Sequence, residues 1–367
     1  MHLKRSTEQH QRNIWVQYLR KKFKMKGVLL VNLGSPDSTE TDDVRDYLDE
    51  FLMDERVIDL PKWFRRFLVK GIILKTRPKK SAEAYKKIWW KEGSPLIVIS
   101  ERLTDKVQSK VSVPVTLAMR YGNPTIKKGM EILVKEGVKD ILIIPLYPQF
   151  AMATTETILV LAEQIKNEFF PDLELTSLPS FYDHPDYIKV LGNSIQEALQ
   201  GKNWDHLLFS YHGVPNRHIR KSDITGKHCK MNGKCCFEDS PAHKYCYKHQ
   251  CEMTSIKVAE FLNLKKGSYS TSFQSRVSIL GTWLKPYTDK TVEKFAKSGV
   301  KELAIATPAF VSDCLETLEE IGMEAAEDFE DNGGKNLHVI PCINDREEWV
   351  NVLSRWIDEW AHLKLEK

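Results

Sequence analysis

The sequence predicts an α/β protein with largely parallel, buried sheets, built as two similar halves. Short apolar runs alternate with longer segments of helical periodicity along the chain, and these runs are GVLLVNL, VTLAM, DILIIPLY, HLLFSY and ELAIA. The 367 residues exceed the size of one ordinary domain. The second half also repeats sequence features of the first, which indicates a duplication.

The repeat covers corresponding segments of the two halves. GNPTIKKGMEILVKEGVKDILII aligns with LKPYTDKTVEKFAKSGVKELAIA at a constant offset of 162 residues, which pairs Pro124 with Pro286. Slightly further on, YPQFAMATTETI aligns with TPAFVSDCLETL at an offset of 160 and pairs Glu156 with Glu316. Two copies of an α/β unit leave a cleft between them, and ligands bind such sheets at the carboxyl ends of the strands. We therefore expect the functional site in that cleft.

The chain divides into four parts on this interpretation. Residues 25–178 form the first α/β domain, and residues 179–343 form the second, with the boundary near Pro179 in the segment LPSFYDHP. Residues 344–367 carry tryptophans at helical spacing and are expected to form a helix that packs back on the first half. Residues 1–24 hold seven basic side chains against one acidic one, which favours a dispensable extension or an upstream start codon over an organelle-type presequence.

Composition excludes several classes of protein. The net charge of +4 arises in the extension, whose own charge is +6, so the rest of the chain is slightly acidic and has no nucleic-acid footprint. Hydrophobic residues make up 42% of the chain, too many for a disordered protein. The longest apolar runs fall well short of the roughly 18 residues that a membrane-spanning helix needs.

His212 is the first candidate for chemistry. It directly follows the run HLLFSY and precedes a Gly-x-Pro turn, which places its imidazole at the carboxyl end of a strand. A general base or a metal ligand suits that position. The alternative interpretation is a histidine that only hydrogen-bonds the turn.

Three carboxylates follow a later strand end at helical spacing, and they are Glu316, Glu320 and Glu324. Residues at i, i+4 and i+8 lie along one side of a helix, where like charges repel by roughly a few tenths of a kcal/mol per pair. Such a row, running from a cleft toward solvent, could carry cations inward or protons outward. The alternative is an acidic surface helix, since Glu319 and Glu327 make other faces acidic as well.

Residues 51–74 form an apolar and basic segment. Large side chains such as Trp63 and Phe67 are interleaved with basic ones such as Arg65 and Arg66. This pattern is typical of an amphipathic helix that rests on a membrane surface. Ordinary core packing with a solvated face is the alternative.

Five of the seven cysteines fall in one short stretch, and they are Cys229, Cys235, Cys236, Cys246 and Cys251. No secretory signal precedes them, so we expect a reducing cytoplasm. In that compartment clustered cysteines favour metal ligation over disulfides.

Six motifs occur in order along the chain: LLVNLGSP, MRYGNP, YPQF, YHGVP, TSFQSRVSILGTWLKPYTD and FVSDCLETLEEI. This series resembles the ferrochelatase family, and the resemblance runs from Lys26 to Trp360. It implies a cleft between two Rossmann-like domains, in which ferrous iron is inserted into protoporphyrin IX and two protons are released. That reaction makes protohaem in the last step of haem biosynthesis.

The resemblance also implies roles for individual residues. His212 and Glu316 correspond to the two principal active-site residues of the family, as catalytic groups and as ligands of the substrate Fe²⁺, and Glu320 and Glu324 extend a metal path from them. The positions that correspond to the porphyrin pocket are Arg120, Tyr121, Ser275, Arg276 and Trp283. The segment 51–74 corresponds to a lip through which porphyrin enters from a membrane, so the implied enzyme is cytoplasmic with a peripheral membrane contact.

Two features set the chain apart within the family. Members that use coproporphyrin carry tyrosine before the glycine of the first motif, whereas this chain has Leu33, which favours protoporphyrin IX over coproporphyrin III. Residues 224–251 form an insertion that resembles bacterial relatives with an internal 2Fe-2S cluster. The ligands implied, with Cys235 as the spare thiol, are Cys229, Cys236, Cys246 and Cys251. Zinc, with His228, His243 and His249 nearby, and free thiols are the alternatives.

Other functions stay open from the sequence. A non-catalytic haem or metal carrier could keep the cleft, although binding alone needs no base beside a row of carboxylates. A chelatase for another tetrapyrrole, such as the cobalt enzyme of corrin synthesis, is a further alternative. The oligomeric state is not determined by the sequence.

Overall fold

The computed structural model describes residues 25–276 and 281–362. The basic extension 1–24 and the last five residues of the segment 344–367 therefore lie outside the described residues. The described chain contains two four-stranded sheets in which every neighbouring pair of strands is parallel. The predicted α/β class, with two similar halves, is confirmed.

The first sheet is formed by four strands in the order β2-β1-β3-β4, and their bounds are β1 Lys26–Asn32, β2 Val115–Met119, β3 Asp140–Pro145 and β4 Glu174–Ser177. The central strands β1 and β3 are almost completely buried. Because helices cover both faces of a parallel sheet, such strands read as continuous apolar runs. This is why the runs were visible in the sequence.

The second sheet repeats this arrangement. Its strands are β5 His206–His212, β6 Tyr269–Gln274, β7 Glu302–Ala306 and β8 Asn336–Val339, in the order β6-β5-β7-β8. Counted from the start of each half, the two strand orders are identical. The aligned residues Pro124 and Pro286 both follow a cis peptide bond. The repeat in the sequence thus corresponds to a repeat in topology.

The helices of the first half are α1 Thr41–Leu52, α2 Lys62–Leu68, α3 Leu74–Ile88, α4 Pro95–Gln108, α5 Ile126–Lys135 and α6 Thr157–Phe169. Two π-helices interrupt the series, π1 Val69–Ile73 and π2 Met152–Glu156. The start of α5 shows how sequence sets a boundary. The Thr125 hydroxyl accepts a hydrogen bond from the Lys128 N–H at 3.2 Å and satisfies a donor that the helix leaves free.

The helices after β4 are α7 Pro185–Ala198, α8 Asn216–Lys221, α9 Tyr247–Phe261, α10 Thr288–Lys297, α11 Ala325–Asp331 and α12 Glu347–His362. A third π-helix, π3 Glu316–Glu324, precedes α11. The cysteine-rich segment forms two short 3-10 turns, Lys234–Phe237 and Pro241–Lys244, and its last residues lie in α9. Short turns bury little apolar surface, so this segment depends on its surroundings for stability.

One continuous apolar core contains residues from both sheets and from α12. At its centre the rings of Phe181, Tyr187, Trp349 and Trp356 lie against one another, with Phe181 and Trp349 5.5 Å apart. Helix α12 contacts α4 in the first half and α7 in the second. Its last turn also accepts a hydrogen bond from the Lys26 ammonium at 2.8 Å, through the Trp360 carbonyl. The C-terminal helix therefore helps to join the halves.

A buried carboxylate adds an ionic contact between the halves. Asp59 has a side chain that is only 5% exposed and lies against three residues of α8. It pairs with Arg217 and with the Lys221 ammonium, 2.6 Å away, and the His218 Nε2 atom lies 3.8 Å from it. Burial lowers the pKa of His218 to about 4, so this imidazole is neutral at pH 7. Arg217 and Lys221 therefore balance the charge of Asp59, which lies within the segment 51–74.

We expect Asp59→Asn to lower the free energy of unfolding by roughly 2–3 kcal/mol, because it leaves two cations beside a neutral amide in a partly buried site. Urea unfolding monitored by circular dichroism measures the change. Asp42→Asn is the matched control, since that carboxylate is 88% exposed and its loss should cost less than about 0.5 kcal/mol. Equal effects of the two variants would show that Asp59 contributes no more than a surface charge.

Candidate active site

His212 is the last residue of β5, and the neighbouring strands β6 and β7 end at the same edge of the sheet. Gln274 ends β6 and is the register partner of His212. The loop after β7 leads directly into π3, which begins at Glu316. The carboxyl edge of the second sheet therefore brings together residues that are far apart in sequence.

The His212 imidazole is held in one orientation. Its Nδ1 atom lies 2.7 Å from the Gly213 carbonyl oxygen and donates a hydrogen bond to it. In its neutral form the ring carries its lone pair on Nε2, which can accept a proton or bind a metal ion. Gly213 is required here, because a Cβ atom would lie 2.8 Å from the Gln274 carbonyl oxygen and 3.4 Å from the Trp283 ring.

The acidic segment is a π-helix over Glu316–Glu324, and not the α-helix that the i, i+4, i+8 spacing suggested. Hydrogen bonds in a π-helix join residues i and i+5, so each turn contains more residues than a turn of α-helix. The three carboxylates still form a series from the interior outward, since Glu316 and Glu320 are half-buried and Glu324 is exposed. In the first half, π2 follows the aligned loop in the same way.

Glu320 is bound through both carboxylate oxygens. The Ser275 N–H donates to one at 2.8 Å, and the Ser275 hydroxyl donates to the other at 2.5 Å. Ser275 reaches both because its backbone is left-handed, with φ 61°. Burial raises the pKa of Glu320, the Ser275 bonds and the charge of His212 lower it, and the charge of Glu316 raises it further. The net shift is upward, so Glu320 keeps a proton to higher pH than an exposed glutamate.

Three tyrosines of the first half, Tyr47, Tyr85 and Tyr147, lie near Glu316. Burial raises the pKa of each phenol, and the charge of Glu316 adds to the increase. All three hydroxyls therefore stay protonated at neutral pH. Glu316 thus lies against the first half.

A salt bridge ties the same π-helix to the first half. The Lys87 ammonium, at the end of α3, lies 2.6 Å from the buried Glu319 carboxylate. Leu315 and Leu318 pack beside it on the apolar cluster formed by α1 and α3. Glu319 therefore serves the interface between the halves and not a solvent-exposed acidic face.

The predicted porphyrin residues of the first half surround a carboxylate. Arg120 pairs with Asp54 and donates to the Thr157 hydroxyl at 2.7 Å, and the Tyr121 hydroxyl donates to Asp54 at 3.0 Å. Burial opposes the ionisation of Asp54, but hydrogen bonds from Thr157 and the Arg56 N–H, with the charge of Arg120, lower its pKa. The charge of Arg120 is therefore balanced within the protein.

The predicted porphyrin residues of the second half lie in two environments. Arg276 is 40% exposed, lies over the Tyr287 ring at 4.3 Å and is 3.5 Å from Asp289. Trp283 is 7% exposed and packs beside Gly213, and its indole nitrogen has no hydrogen-bond partner among the described residues. Ser275 and Trp283 therefore lie next to His212, whereas Arg276 lies on a more open surface.

The cysteine-rich segment surrounds one small cavity, and the cysteines that line it are Cys229, Cys235, Cys236 and Cys246. Cys251 does not line it, because its side chain is fully buried in α9 beside Tyr247. A hydrogen bond between two of the thiols lowers the pKa of Cys246 to about 7 and, with burial, raises that of Cys236. The structure thus brings Cys235, and not Cys251, to the other three predicted ligands.

Three imidazoles support the turn at Cys235 and Cys236. His228 Nε2 and His243 Nε2 lie 2.8 and 3.0 Å from the Cys235 carbonyl oxygen, and His249 Nδ1 lies 2.6 Å from the Cys236 carbonyl oxygen. The rings of His243 and His249 are stacked 3.6 Å apart. Each histidine thus uses one nitrogen on the backbone. Among residues 25–276 and 281–362, no group of three or more His, Cys, Asp and Glu side chains is arranged to hold a metal ion.

The segment 51–74 has both exposed and buried apolar side chains. Trp63 and Phe67 are 74% and 60% exposed, whereas Leu68 is buried. Arg65 is buried as well and donates to the Ile58 and Leu60 carbonyls at 3.1 Å, so it does not belong to the solvated face. In the described part of the chain, no helix is long and apolar enough to cross a membrane.

Two buried residues at this site were not selected from the sequence. The Gln274 amide donates to the Glu316 carbonyl at 3.0 Å and accepts from the Ser210 hydroxyl at 2.7 Å. The Tyr247 hydroxyl donates to the His212 carbonyl at 2.9 Å. Gln274 lies within the motif FQSR and could have been selected with Ser275. No pattern in the sequence points to Tyr247, because its contact is made through space.

Comparison with known proteins agrees with this architecture. The ferrochelatase family model matches residues 25–361. The chain is 48% identical over 329 residues to a ferrochelatase of Pseudomonas fluorescens, with 89% of this chain and 96% of the relative covered. It is 46% identical over 330 residues to a ferrochelatase of Stutzerimonas stutzeri, with the same shares covered.

Solved structures show the same fold at low identity. SirB from Bacillus subtilis with Fe³⁺ superimposes with a TM-score of 0.52 at 13% identity, over 92% of this chain and 96% of that chain. The cobalt complex of the sirohydrochlorin chelatase SirB from the subspecies spizizenii gives a TM-score of 0.51, over 92% of this chain and 95% of that chain. With the family model matched over nearly the whole described chain, we conclude that the chain belongs to the ferrochelatase family.

Proposed function

We propose that this chain inserts ferrous iron into protoporphyrin IX, with His212 and Glu316 as the catalytic groups. The observation that carries the proposal is the fixed His212 imidazole, with its free Nε2 atom, beside the carboxylates of π3. Family membership supports iron insertion into a porphyrin as the reaction class. The assignment of individual residues is ours.

The reaction requires that two pyrrole N–H protons leave while Fe²⁺ enters. Nε2 of His212 is the acceptor for a pyrrole proton, since Nδ1 already donates to Gly213. Glu316 and Glu320 can bind the ferrous ion, since carboxylates are ligands of Fe²⁺ in proteins, and Glu320, whose pKa is raised, can hold a proton. Glu324, exposed at the outer end of π3, connects this pair to solvent. We propose this series as the path for iron inward and protons outward.

Porphyrin binding follows from the same geometry. Trp283 supplies an aromatic surface next to His212, and Ser275 lies beside it. Arg276 is the more available cation for a propionate, because Arg120 and Tyr121 are already bound to Asp54. We assign Arg120 and Tyr121 to the wall of the pocket, where a propionate would compete with Asp54.

The choice of protoporphyrin IX over coproporphyrin III rests on Leu33. Its side chain packs against the apolar cluster that contains Tyr121, at the turn after β1. An apolar residue there suits the vinyl groups of protoporphyrin better than the additional propionates of coproporphyrin. Parallel assays with the two porphyrins test this choice.

We expect His212→Ala to lower the metallation rate by at least about 10³-fold while protoporphyrin still binds, because only the proton acceptor is removed. Anaerobic loss of porphyrin fluorescence on addition of Fe²⁺ measures the rate, and absorbance titration measures binding. His362→Ala, at the exposed end of α12, is the matched control and should retain full activity. Turnover by His212→Ala at the control rate would exclude His212 from the mechanism. Porphyrin binding without turnover in the unmodified chain would favour a carrier.

We also propose that the cysteine cavity holds a 2Fe-2S cluster. The four thiols that line one cavity match such a cluster in number and ligand type, although their present arrangement does not form a metal site, and these are Cys229, Cys235, Cys236 and Cys246. The cluster would supply a covalent cross-link to a segment that has only short turns of its own. Zinc is the less suitable occupant, because the neighbouring histidines use one nitrogen on backbone carbonyls.

We expect Cys235→Ser to remove most of the visible absorption of the cluster and Cys251→Ser to retain it, since Cys235 lines the cavity and Cys251 does not. Absorption and circular dichroism of protein purified without oxygen measure this. The reverse result would restore Cys251 as the fourth ligand. A colourless chain that contains zinc would contradict the cluster.

We propose that the segment 51–74 rests on the surface of a membrane and that the enzyme is cytoplasmic. The exposed Trp63 and Phe67 lie on one side of α2, and the basic side chains Lys62 and Arg66 adjoin them in the same helical register. None of the seven cysteines is in a disulfide, which suits a reducing compartment.

The double variant Trp63→Glu, Phe67→Glu is expected to bind vesicles of phosphatidylcholine and phosphatidylglycerol at least about 30-fold more weakly than the unmodified chain, because charged side chains replace two exposed aromatic ones that would insert into the vesicle surface. Flotation through a density gradient measures the bound fraction. Phe169→Glu changes an exposed phenylalanine outside the segment and should bind normally. Equal binding by all three proteins would exclude the segment as the contact.

A further inference from the structure

The first turn of α9 links the cysteine cavity to His212. We infer that Tyr247 is a positioning residue for His212 and that it transmits the state of the cysteine cavity to the active site. The inference rests on the proposed function of both sites, and it concerns the contact between them.

One peptide group carries the argument. The peptide between His212 and Gly213 is planar, so its N–H and C=O point in opposite directions. The Gly213 N–H donates to the Gln274 carbonyl at 2.8 Å, and the His212 carbonyl accepts from the Tyr247 hydroxyl at 2.9 Å. The two bonds hold the plane from both sides. The Gly213 carbonyl, in the next peptide group, accepts from the His212 ring, so a displacement of the first peptide reaches the partner of the imidazole through Gly213.

Tyr247 is joined to the cavity by the chain itself. It is the first residue of α9, and Cys246, which lines the cavity, is the N-cap residue of that helix. Tyr247 is 5% exposed, so its ring has little freedom to follow a displaced helix end without moving its hydroxyl. A change at Cys246 must therefore reach the bond to His212.

The first turn of α9 also contacts the first half of the molecule. Gln250 is fully buried, and its side-chain oxygen accepts from the Phe150 N–H at 2.6 Å. Its amide donates to the carbonyls of His243 and Lys244 at 3.1 and 2.9 Å, within the cysteine-rich segment. Phe150 belongs to the YPQF motif of the first half. One turn of α9 thus contacts the cysteine segment, the catalytic histidine and the opposite side of the cleft.

Occupancy of the cavity would tighten this link. Of the four lining cysteines, Cys229, Cys235 and Cys236 belong to the irregular segment, and only Cys246 adjoins α9. A group bound to all four cysteines joins the irregular segment to the start of α9. In an empty cavity, only the polypeptide backbone connects the two. The occupied state should therefore position His212 better.

The test compares variants that remove one hydroxyl each, in full-length protein purified without oxygen. Tyr247→Phe keeps the ring and loses the bond to His212. Tyr245→Phe is the matched control, because its ring packs on Phe150 at 4.9 Å but is not bonded to His212. We expect Tyr247→Phe to keep the cluster absorption, to keep the KM for protoporphyrin within about 2-fold, and to lower kcat about 5- to 10-fold, the loss that corresponds to one hydrogen bond. Tyr245→Phe should leave the cluster absorption, the KM and kcat unchanged.

The link itself is tested by a double-variant cycle with Cys236→Ser, which empties the cavity. We expect emptying to lower kcat several-fold in the Tyr245→Phe background and to have less than about 2-fold effect in the Tyr247→Phe background. If Cys236→Ser lowers kcat by the same factor in both backgrounds, the link is overturned. Normal kcat in Tyr247→Phe would overturn the positioning role. Absence of iron insertion in the unmodified chain would instead contradict the proposed function.

Discussion

The peptide between His212 and Gly213 is the constraint on which the site depends. It lies where β5 ends, between the Gln274 carbonyl and the Tyr247 hydroxyl, and a side chain at position 213 would collide with its neighbours. The bond from the imidazole to the next carbonyl then determines which ring nitrogen is free. Gln274 also holds the first residue of π3 through its side chain, so the histidine and the carboxylates are positioned by one strand end.

Charge pairing determines which groups remain for substrate. Asp54 balances Arg120, Asp59 balances the cations of α8, and Glu319 pairs with Lys87 across the halves. Each of these pairs is at least partly buried, where an unbalanced charge would be costly. The carboxylates of π3 differ, because Glu316 faces tyrosines that stay protonated and Glu320 is bound by Ser275. Among the described residues, Glu316 and Glu320 therefore have no salt-bridge partner.

The relative position of the two halves depends on one apolar core that they share. Residues of both sheets and of α12 belong to one apolar cluster, and the cysteine-rich segment is packed on it through α9. A segment with so little regular structure is stabilised by what it contacts and by what it binds. Through the first residue of α9 it also contacts the end of β5, which joins it to the candidate site.

The sequence by itself determined the α/β class, the duplication of the two halves, and the location of His212 at a strand end, because apolar runs, repeated spacing and turn residues are local signals. Tertiary structure alone decided the rest. Arg65 was grouped with the basic side chains of the segment 51–74 but is buried and donates to backbone carbonyls, and Arg120 is balanced by Asp54, 66 residues away. The carboxylates lie on a π-helix, and Cys235 replaces Cys251 at the cavity. These outcomes depend on contacts between residues distant in sequence, and spacing along the chain carries no record of such contacts.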